Sequence, residues 1–246
     1  MDWRVISIGA MSANGLWGER EPVRTGHATT TLVRTKSLDG EDMTLLVDPG
    51  LPGPALLARL RERVNLGPEN ITHVFLTRFH PDCRRGLEVF EHATWWIAEA
   101  EREAVGVPLV TSLKRLTENF EEVDETTAEV LRTDIAVLQR CEVAPDRLGE
   151  GVDLFPMHGV SPGLTGVLIS TSSSTIVLCG DAIPTQDHLE RGEVHREAVD
   201  AAAARTSFAE AVEVADVLVL GRDNALVNPS RHGPGPIGTG QTGQSW

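Results

Sequence analysis

A group of side chains suited to metal binding and acid–base chemistry follows one apolar segment of the chain. The apolar run 71–76, bounded by turn residues, predicts a buried strand. In α/β proteins, sites lie at the carboxyl ends of such strands. Imidazole, carboxylate and thiolate groups are the usual zinc ligands, whereas guanidinium groups bind anions. The residues that carry these groups directly after the strand are Arg78, His80, Asp82 and Cys83.

The same segment resembles the metal-binding signature of the metallo-β-lactamase superfamily, which reads Thr-His-X-His-X-Asp-His. His80 and Asp82 match this signature. Arg78 stands at its first histidine, and Cys83 stands at its last. The resemblance covers roughly residues 25–228 and implies an α/β fold of four layers, an αββα sandwich. It also implies hydrolysis of an ester, thioester, lactone or amide by a metal-bound hydroxide.

Two further motifs of the family align with this chain but lack a ligand. The motif Pro-Gly-His-Thr-Pro-Gly-His-Thr-Gly aligns with residues 158–166 and places Val160 at a ligand histidine. His158 lies two residues earlier and reaches the site only if the loop is rearranged; the alternative is a loop histidine with local partners. After the predicted strand 217–220, Arg222 stands at the final ligand histidine. The resemblance therefore implies that an apolar and a cationic side chain replace two metal ligands.

Two aspartates of the family pattern are retained. A predicted strand ends in Gly-Asp, and the resemblance implies that this aspartate, Asp181, is the one that bridges two metal ions. An earlier strand ends in Asp48, which the resemblance implies supports the metal-binding loop from behind. A turn aspartate that bonds its own backbone would have the same sequence pattern. We interpret Asp82 and Asp181 as the candidate catalytic residues.

Two opposing arguments bear on whether the site binds a metal ion. By donor count, Asp82, Cys83 and Asp181 can hold one zinc or iron ion, with water in the open position. Against this, Arg78 and Arg222 carry permanent charges that repel a dication and pair well with buried carboxylates. We therefore favour a site without a metal or other cofactor. We predict that Arg78 or Arg222 lies within hydrogen-bonding distance of Asp82 or Asp181.

The thiol of Cys83 has two interpretations. If it is partly exposed, the neighbouring arginines lower its pKa and make it nucleophilic. The alternative is a small side chain buried under the site, as is common for free cysteines. The chain has no phosphate-binding loop of the Gly-X4-Gly-Lys-Ser/Thr type, so the sequence does not point to an enzyme of that class.

The order of strands and helices predicts a single domain with two β-rich halves, each followed by helices. Such an order favours the αββα sandwich over residues 1–228, followed by a flexible tail over 229–246 that contains His232 in a His-Gly-Pro element. The predicted strands are 5–8, 28–34, 43–47, 71–76, 93–97, 152–155, 165–170, 175–179 and 217–220, and the predicted helices are 55–64, one from about 98, a hairpin or long helix within 112–142, and 198–215.

The composition restricts the partners of the protein. The 246 residues carry a formal charge of −14, which disfavours nucleic acid and anionic membranes as partners. No apolar run reaches the ~18 residues that span a bilayer, and the first residues do not resemble a signal peptide. We therefore expect a cytoplasmic protein, and Arg78 and Arg222 make an anionic small molecule a possible partner.

The sequence thus supports two hypotheses on function. The first is a divergent, hydrolase-like protein in which Arg78, Cys83, Val160 and Arg222 replace most metal ligands; it lacks a two-metal centre and has weak or no hydrolase activity. The alternative is an active mononuclear zinc or iron hydrolase of esters, thioesters or lactones. Metal content separates the two hypotheses.

Overall fold

The computed structural model describes residues 1–118 and 125–231, which form two six-stranded β-sheets. Each half of the chain forms one sheet, and the strands lie side by side in chain order. The first sheet contains β1 (Asp2–Ser7), β2 (Thr30–Lys36), β3 (Asp42–Val47), β4 (His73–Leu76), β5 (Thr94–Ile97) and β6 (Glu142–Val143). The second contains β7 (Arg147–Gly149), β8 (Val152–Pro156), β9 (Thr165–Ser170), β10 (Thr175–Leu178), β11 (Val217–Val219) and β12 (Ala225–Val227).

Helices connect the strands within each half. In the described ranges, no helix is both long enough and apolar enough to cross a membrane. The helices are α1 (Gly53–Val64), α2 (Pro81–Arg84), α3 (Glu99–Glu118), α4 (Glu125–Arg140), α5 (Gln186–Arg191) and α6 (Ala201–Val214).

Side-chain alternation along the strands creates a core between the sheets. Leu45 and Val47 of β3 point into this core and pack in one cluster with Ile176 and Leu178 of β10. Leu46 lies between Leu45 and Val47 in the chain, so it points to the opposite face of the sheet. The two sheets therefore face each other through alternate residues.

Helices cover the outer face of each sheet. Leu56 and Leu60 of α1 pack with Leu46 on the outer face of the first sheet. Ala211 of α6 packs with Val177 of β10 on the outer face of the second sheet. The layers follow the order helix, sheet, sheet, helix, which confirms the predicted αββα sandwich.

Most predicted elements are present, and the differences have local causes. The strand predicted from Ala28 begins at Thr30, because the N–H groups of Ala28 and Thr29 donate to the carbonyls of Asp82 and Gly221 instead. The predicted helical hairpin is present as α3 and α4. The strands β6, β7 and β12 and the helices α2 and α5 are too short to show a hydrophobic period, so the sequence does not predict them. His232 lies outside the described residues.

Parallel pairing brings the candidate site residues to one edge of each sheet. The strands β3 and β4 are parallel neighbours, and so are β10 and β11. The carboxyl ends of parallel strands lie at the same edge. The residues that follow β3, β4, β10 and β11 at these edges are Asp48, Arg78, Asp181 and Arg222.

The loops after β10 and β11 approach each other at two glycines. A Cβ atom at Gly221 would lie 2.1 Å from the carbonyl oxygen of Gly180. Gly180 has a φ of +51°, and a Cβ atom there would lie 2.9 Å from Oγ1 of Thr77. A side chain at Gly221 would push the loops apart, so its absence allows Asp181 and Arg222 to meet.

We expect Gly221→Ala to lower the free energy of unfolding by about 1–3 kcal/mol, because the added methyl group overlaps the neighbouring backbone. The matched control is Gly106→Ala inside α3, where a Cβ atom would meet Leu138 at an ordinary 3.5 Å. The control should be neutral or stabilising by up to about 1 kcal/mol, because alanine is the better helix former. Urea denaturation measures both variants, and equal effects would contradict the close approach.

Candidate functional site

The buried side chains of Arg222 and Asp181 form a bidentate ion pair at the centre of the site. Nε of Arg222 donates to Oδ1 of Asp181 at 2.6 Å, and Nη2 donates to Oδ2 at 2.8 Å. Only 4% of the Arg222 side chain and 2% of the Asp181 side chain are exposed. Because this paired geometry matches the planar guanidinium to the carboxylate, each charge is compensated without water.

Three more aspartate–arginine contacts extend this pair toward the surface. Nη1 of Arg222 donates to Oδ2 of Asp82 at 2.7 Å, and Nη2 of Arg85 donates to Oδ1 of Asp82 at 3.0 Å. Nη1 of Arg78 donates to Oδ2 of Asp181 at 2.9 Å. The predicted contact is therefore confirmed for both Arg78 and Arg222. These three arginines and two aspartates are called the ion-pair cluster below, and they leave one net positive charge.

The members of the central pair keep each other charged. Burial alone would raise the pKa of Asp181, but the charge and hydrogen bonds of Arg222, followed by the charge of Arg78, hold that pKa well below its usual range. Burial alone would lower the pKa of Arg222, but the Asp181 carboxylate holds it well above its ordinary value. Neither group therefore changes its charge near neutral pH.

Asp48 supports the loop that carries Arg78. Its Oδ1 accepts from the backbone N–H of Thr77 at 2.9 Å, and its Oδ2 accepts from the Thr77 hydroxyl at 2.7 Å. Its side chain therefore bonds a residue at the end of β4 rather than its own turn. Burial, with the charge of Asp181 adding to it, raises the pKa of Asp48 to about 7 despite the hydrogen bonds from Thr77.

Glu101 also supports the site, although no sequence motif marks it. This residue of α3 is 1% exposed. Its Oε1 accepts from the backbone N–H of Phe79 at 2.9 Å, and its Oε2 accepts from the hydroxyl of Ser161 at 2.6 Å. One carboxylate therefore joins the loop after β4 to the loop between β8 and β9.

Three predicted site residues lie away from the cleft surface. Cys83 is buried, and burial raises the pKa of its thiol well above its usual range, so it is packed as a neutral side chain. Val160 is buried in an apolar cluster with Leu164. His158 is exposed, and its carbonyl accepts from the hydroxyl of Ser207 at 2.8 Å. The loop geometry thus turns His158 away from the ion-pair cluster.

An open cleft of about 1190 Å³ lies above the ion-pair cluster. One wall is formed by residues 11–22, which reach over the sheet edge, and another by residues 193–197. The predicted site residues that line the cleft are Arg78, His80, Asp82 and Arg222.

Three histidines line this cleft, His80, His188 and His195, and only His80 was predicted. His188 is buried, and its Nδ1 lies 2.8 Å from the Thr185 hydroxyl. The other two rings have lowered pKa values. Burial, with the charges of Arg78 and Arg222, lowers the pKa of His80 to about 4. Burial also lowers the pKa of His195. The charges of Arg78 and Arg222 lower this pKa further, whereas the charge of Asp181 raises it. Both rings are therefore neutral at pH 7. The only sequence signal for His195 is a histidine in a polar segment after α5, which is too weak to single it out.

The matches to known proteins agree with this architecture. A family model described as the metallo-beta-lactamase superfamily matches residues 23–222. The chain belongs to the metallo-β-lactamase superfamily. Comparison with curated protein sequences gives no significant match.

Solved structures of this superfamily share the fold at low sequence identity. A metallo-β-lactamase-fold protein from Thermotoga maritima aligns with a TM-score of 0.62 and 17% identity, over 92% of this chain and 98% of that one. The dizinc quorum-quenching lactonase AidC aligns with a TM-score of 0.56 and 18% identity, over 76% and 68%. The AiiA protein of B. thuringiensis aligns with a TM-score of 0.54 and 18% identity, over 86% of each chain. At such identities the likeness concerns the fold.

The side chains at this metallo-β-lactamase site do not fit a metal ion. Every carboxylate oxygen of Asp82 and Asp181 accepts from a guanidinium group. The Cys83 side chain is buried beneath the site and does not line the cleft. Within residues 1–118 and 125–231, no group of three or more His, Cys, Asp or Glu side chains is placed to hold a metal ion. Arginine charge balances the two aspartates.

We expect Arg222→Leu to lower the free energy of unfolding by about 3–5 kcal/mol, because it leaves a buried carboxylate short of its main counter-charge. Arg59→Leu is the matched control, since it removes an exposed ion pair with Glu62 on α1 and should change stability by about 0.5 kcal/mol or less. Chemical denaturation at pH 7 measures both. If the two variants lose the same free energy of unfolding, the ion-pair cluster does not stabilise the fold more than an exposed ion pair does.

The free energy of unfolding of Asp48→Asn should increase relative to that of the natural protein as the pH rises from about 4 to about 7. The folded pKa of Asp48 lies above its unfolded value of about 3.9, so folding favours the protonated form and stability declines across this window. Asparagine does not titrate. Asp39→Asn, in an exposed turn, is the control and should show no such trend. Thermal unfolding between pH 4 and 8 measures the difference; a flat profile for Asp48→Asn contradicts the raised pKa.

Proposed function

We propose that this protein has the metallo-β-lactamase fold without a two-metal centre and binds an anionic small molecule. Its own hydrolase activity is weak or absent. The observation that carries the proposal is the contact of one guanidinium, that of Arg222, with both Asp181 and Asp82. Its charge takes the place of the charge that metal ions would supply beside these carboxylates. Arg78, Cys83, Val160 and Arg222 are the replaced ligand positions.

The chemistry of the remaining groups supports weak or absent hydrolysis. Hydrolysis in this superfamily requires a metal-activated water and a polarised carbonyl group. Arginine can stabilise negative charge, but it does not lower the pKa of a water molecule as a bound ion does. Cys83 is a buried, protonated thiol, and His80 with a pKa of about 4 is a weak base. Neither Cys83 nor His80 therefore replaces the metal-activated nucleophile of the superfamily.

The charge distribution of the site supports an anionic ligand. The ion-pair cluster has one more arginine than aspartate. Arg78 lines the cleft, and 13% of its side chain is exposed. A cation at the floor of a partly enclosed cleft attracts anions more strongly than the same cation at an open surface. The proposed ligand therefore binds above the cluster rather than on the acidic outer surface.

Two structural neighbours guide the choice of assay substrates. AidC holds the product N-hexanoyl-L-homoserine, and the AiiA variant holds N-decanoyl-L-homoserine. An identity of 18% does not transfer these activities to this chain. N-acyl homoserine lactones therefore belong in the test panel beside a β-lactam and a thioester.

The test combines metal analysis with activity on protein purified without chelator. We expect well below one equivalent of zinc, iron or manganese per chain, and no turnover of the lactone, lactam or thioester after zinc is added. The positive control is a variant in which the family ligands are restored, and it should bind zinc much more tightly than the natural protein. Its four substitutions are Arg78→His, Cys83→His, Val160→His and Arg222→His.

Two outcomes would contradict the proposal. Close to two metal equivalents would show a two-metal centre. One equivalent together with turnover of about 1 s⁻¹ or faster would favour the mononuclear zinc or iron hydrolase that uses Asp82, Cys83 and Asp181.

A further inference from the structure

Within residues 1–118 and 125–231, Arg78 is the arginine of the ion-pair cluster whose Nε–Nη2 edge has no partner. Arg222 uses Nε, Nη1 and Nη2 on the two aspartates, and Arg85 uses both of its terminal nitrogens on Asp82 and the carbonyl of Gly26. Arg78 uses only Nη1. Its Nε and Nη2 have no partner within residues 1–118 and 125–231, and the side chain lines the cleft. This free edge has the geometry that binds a carboxylate through two parallel hydrogen bonds.

Two of the histidines that line the cleft, His80 and His195, add hydrogen-bond donors to the lining that Arg78 shares. Nδ1 of His80 accepts from the backbone N–H of Asp82 at 3.2 Å, and Nδ1 of His195 accepts from that of Glu197 at 3.1 Å. A backbone N–H can only donate, so each Nδ1 is unprotonated and the ring proton lies on Nε2. Both histidines line the cleft, and the charge of Arg78 acts on both rings. They are therefore neutral donors beside a cation.

The remaining lining restricts the charge and the shape of the ligand. The exposed charged residues of the cleft lining are three acids, Glu21, Glu193 and Glu197, and two arginines, Arg20 and Arg196. Because the acids outnumber the arginines there, they repel a dianion such as a phosphate monoester more strongly than a ligand with one negative charge. The apolar lining residues are Met11, Ala13, Leu16, Pro22 and Val194, and the cleft volume of about 1190 Å³ exceeds what a bare carboxylate fills.

We propose that the cleft binds a monocarboxylate with an apolar group, whose carboxylate accepts hydrogen bonds from the free edge of Arg78 and from Nε2–H of His195 and His80. The inference rests on the proposed function, because it assigns the ligand class to the same metal-free site. The apolar group lies along the wall formed by residues 11–22, and the ligand is bound without chemical change.

Calorimetric titration of the full chain tests the ligand class. The probes are hexanoate, its uncharged analogue hexanamide, and hexyl phosphate, which have the same apolar chain. We expect hexanoate to bind at least about tenfold more tightly than either analogue, because only it has the single charge that matches the cleft. Hexyl phosphate binding more tightly than hexanoate overturns the carboxylate assignment, while an anion site without metal remains.

Variants test the position of the carboxylate. Arg78→Gln should weaken hexanoate binding at least about tenfold, and His195→Leu at least about threefold. Arg191→Gln in α5 is the charge-matched control, since Arg191 is exposed and lies outside the cleft lining; it should change the affinity less than about twofold. His195→Leu breaks no ion pair, so it carries the test if Arg78→Gln fails to fold. Unchanged hexanoate binding in His195→Leu and in a folded Arg78→Gln overturns the proposed site.

Metal content and NMR separate this inference from the proposed function. Metal-free protein that binds none of hexanoate, phenylacetate and decanoate at about 10 mM overturns the monocarboxylate site but leaves the absence of metal intact. Carboxylate binding that disappears with a chelator, in protein that carries bound metal, overturns the proposed function itself. Long-range ¹H–¹⁵N spectra should show His80 and His195 as neutral rings protonated at Nε2, and protonation at Nδ1 removes the donors on which the inference depends.

Discussion

The buried contact between Arg222 and Asp181 constrains the rest of the site. An ionised carboxylate away from water is tolerated only when hydrogen bonds and an opposite charge compensate it. Here the compensation requires that the loops after β10 and β11 touch, which the glycines at 180 and 221 permit. It also requires that the loop after β4 bring Arg78 to the same carboxylate. The parallel pairing of the strands supplies these positions, because it places the strand ends at a common edge.

The supporting contacts follow from that constraint. Asp48 holds Thr77 through two hydrogen bonds, and Glu101 holds Phe79 and Ser161. Both carboxylates are buried, so they hold the loops in place but do not face a ligand. Asp48 and Glu101 therefore lie beneath the cleft, whereas Arg78 and His80 line it and can donate hydrogen bonds. This arrangement supports the proposal that the site recognises negative charge and does not generate a nucleophile.

The residues that stand at the ligand positions of the family motifs could be identified from the sequence, because the motif spacing is retained. Once Asp82 and Asp181 are aligned, the charges of Arg78 and Arg222 have only a few compatible partners, and electrostatics predicts the pairing. The same argument could not predict His195 or Glu101, because neither belongs to a motif and both reach the site through loop and helix packing. The exposure of Cys83 was also open, because a thiol beside three arginines is reactive or inert according to burial alone.

The sequence by itself determined the αββα architecture and the strand ends that carry the site, and the resemblance to the superfamily motifs implied that Arg78, Cys83, Val160 and Arg222 stand at ligand positions. These features depend on hydrophobic period and residue spacing, which are local properties of the chain. Only the tertiary structure decided which guanidinium nitrogens are used and which remain free. Those details depend on distances of a few tenths of an ångström between loops distant in the chain, where hydrogen bonds form or fail. The free edge of Arg78 is such a feature, and the proposed ligand class depends on it.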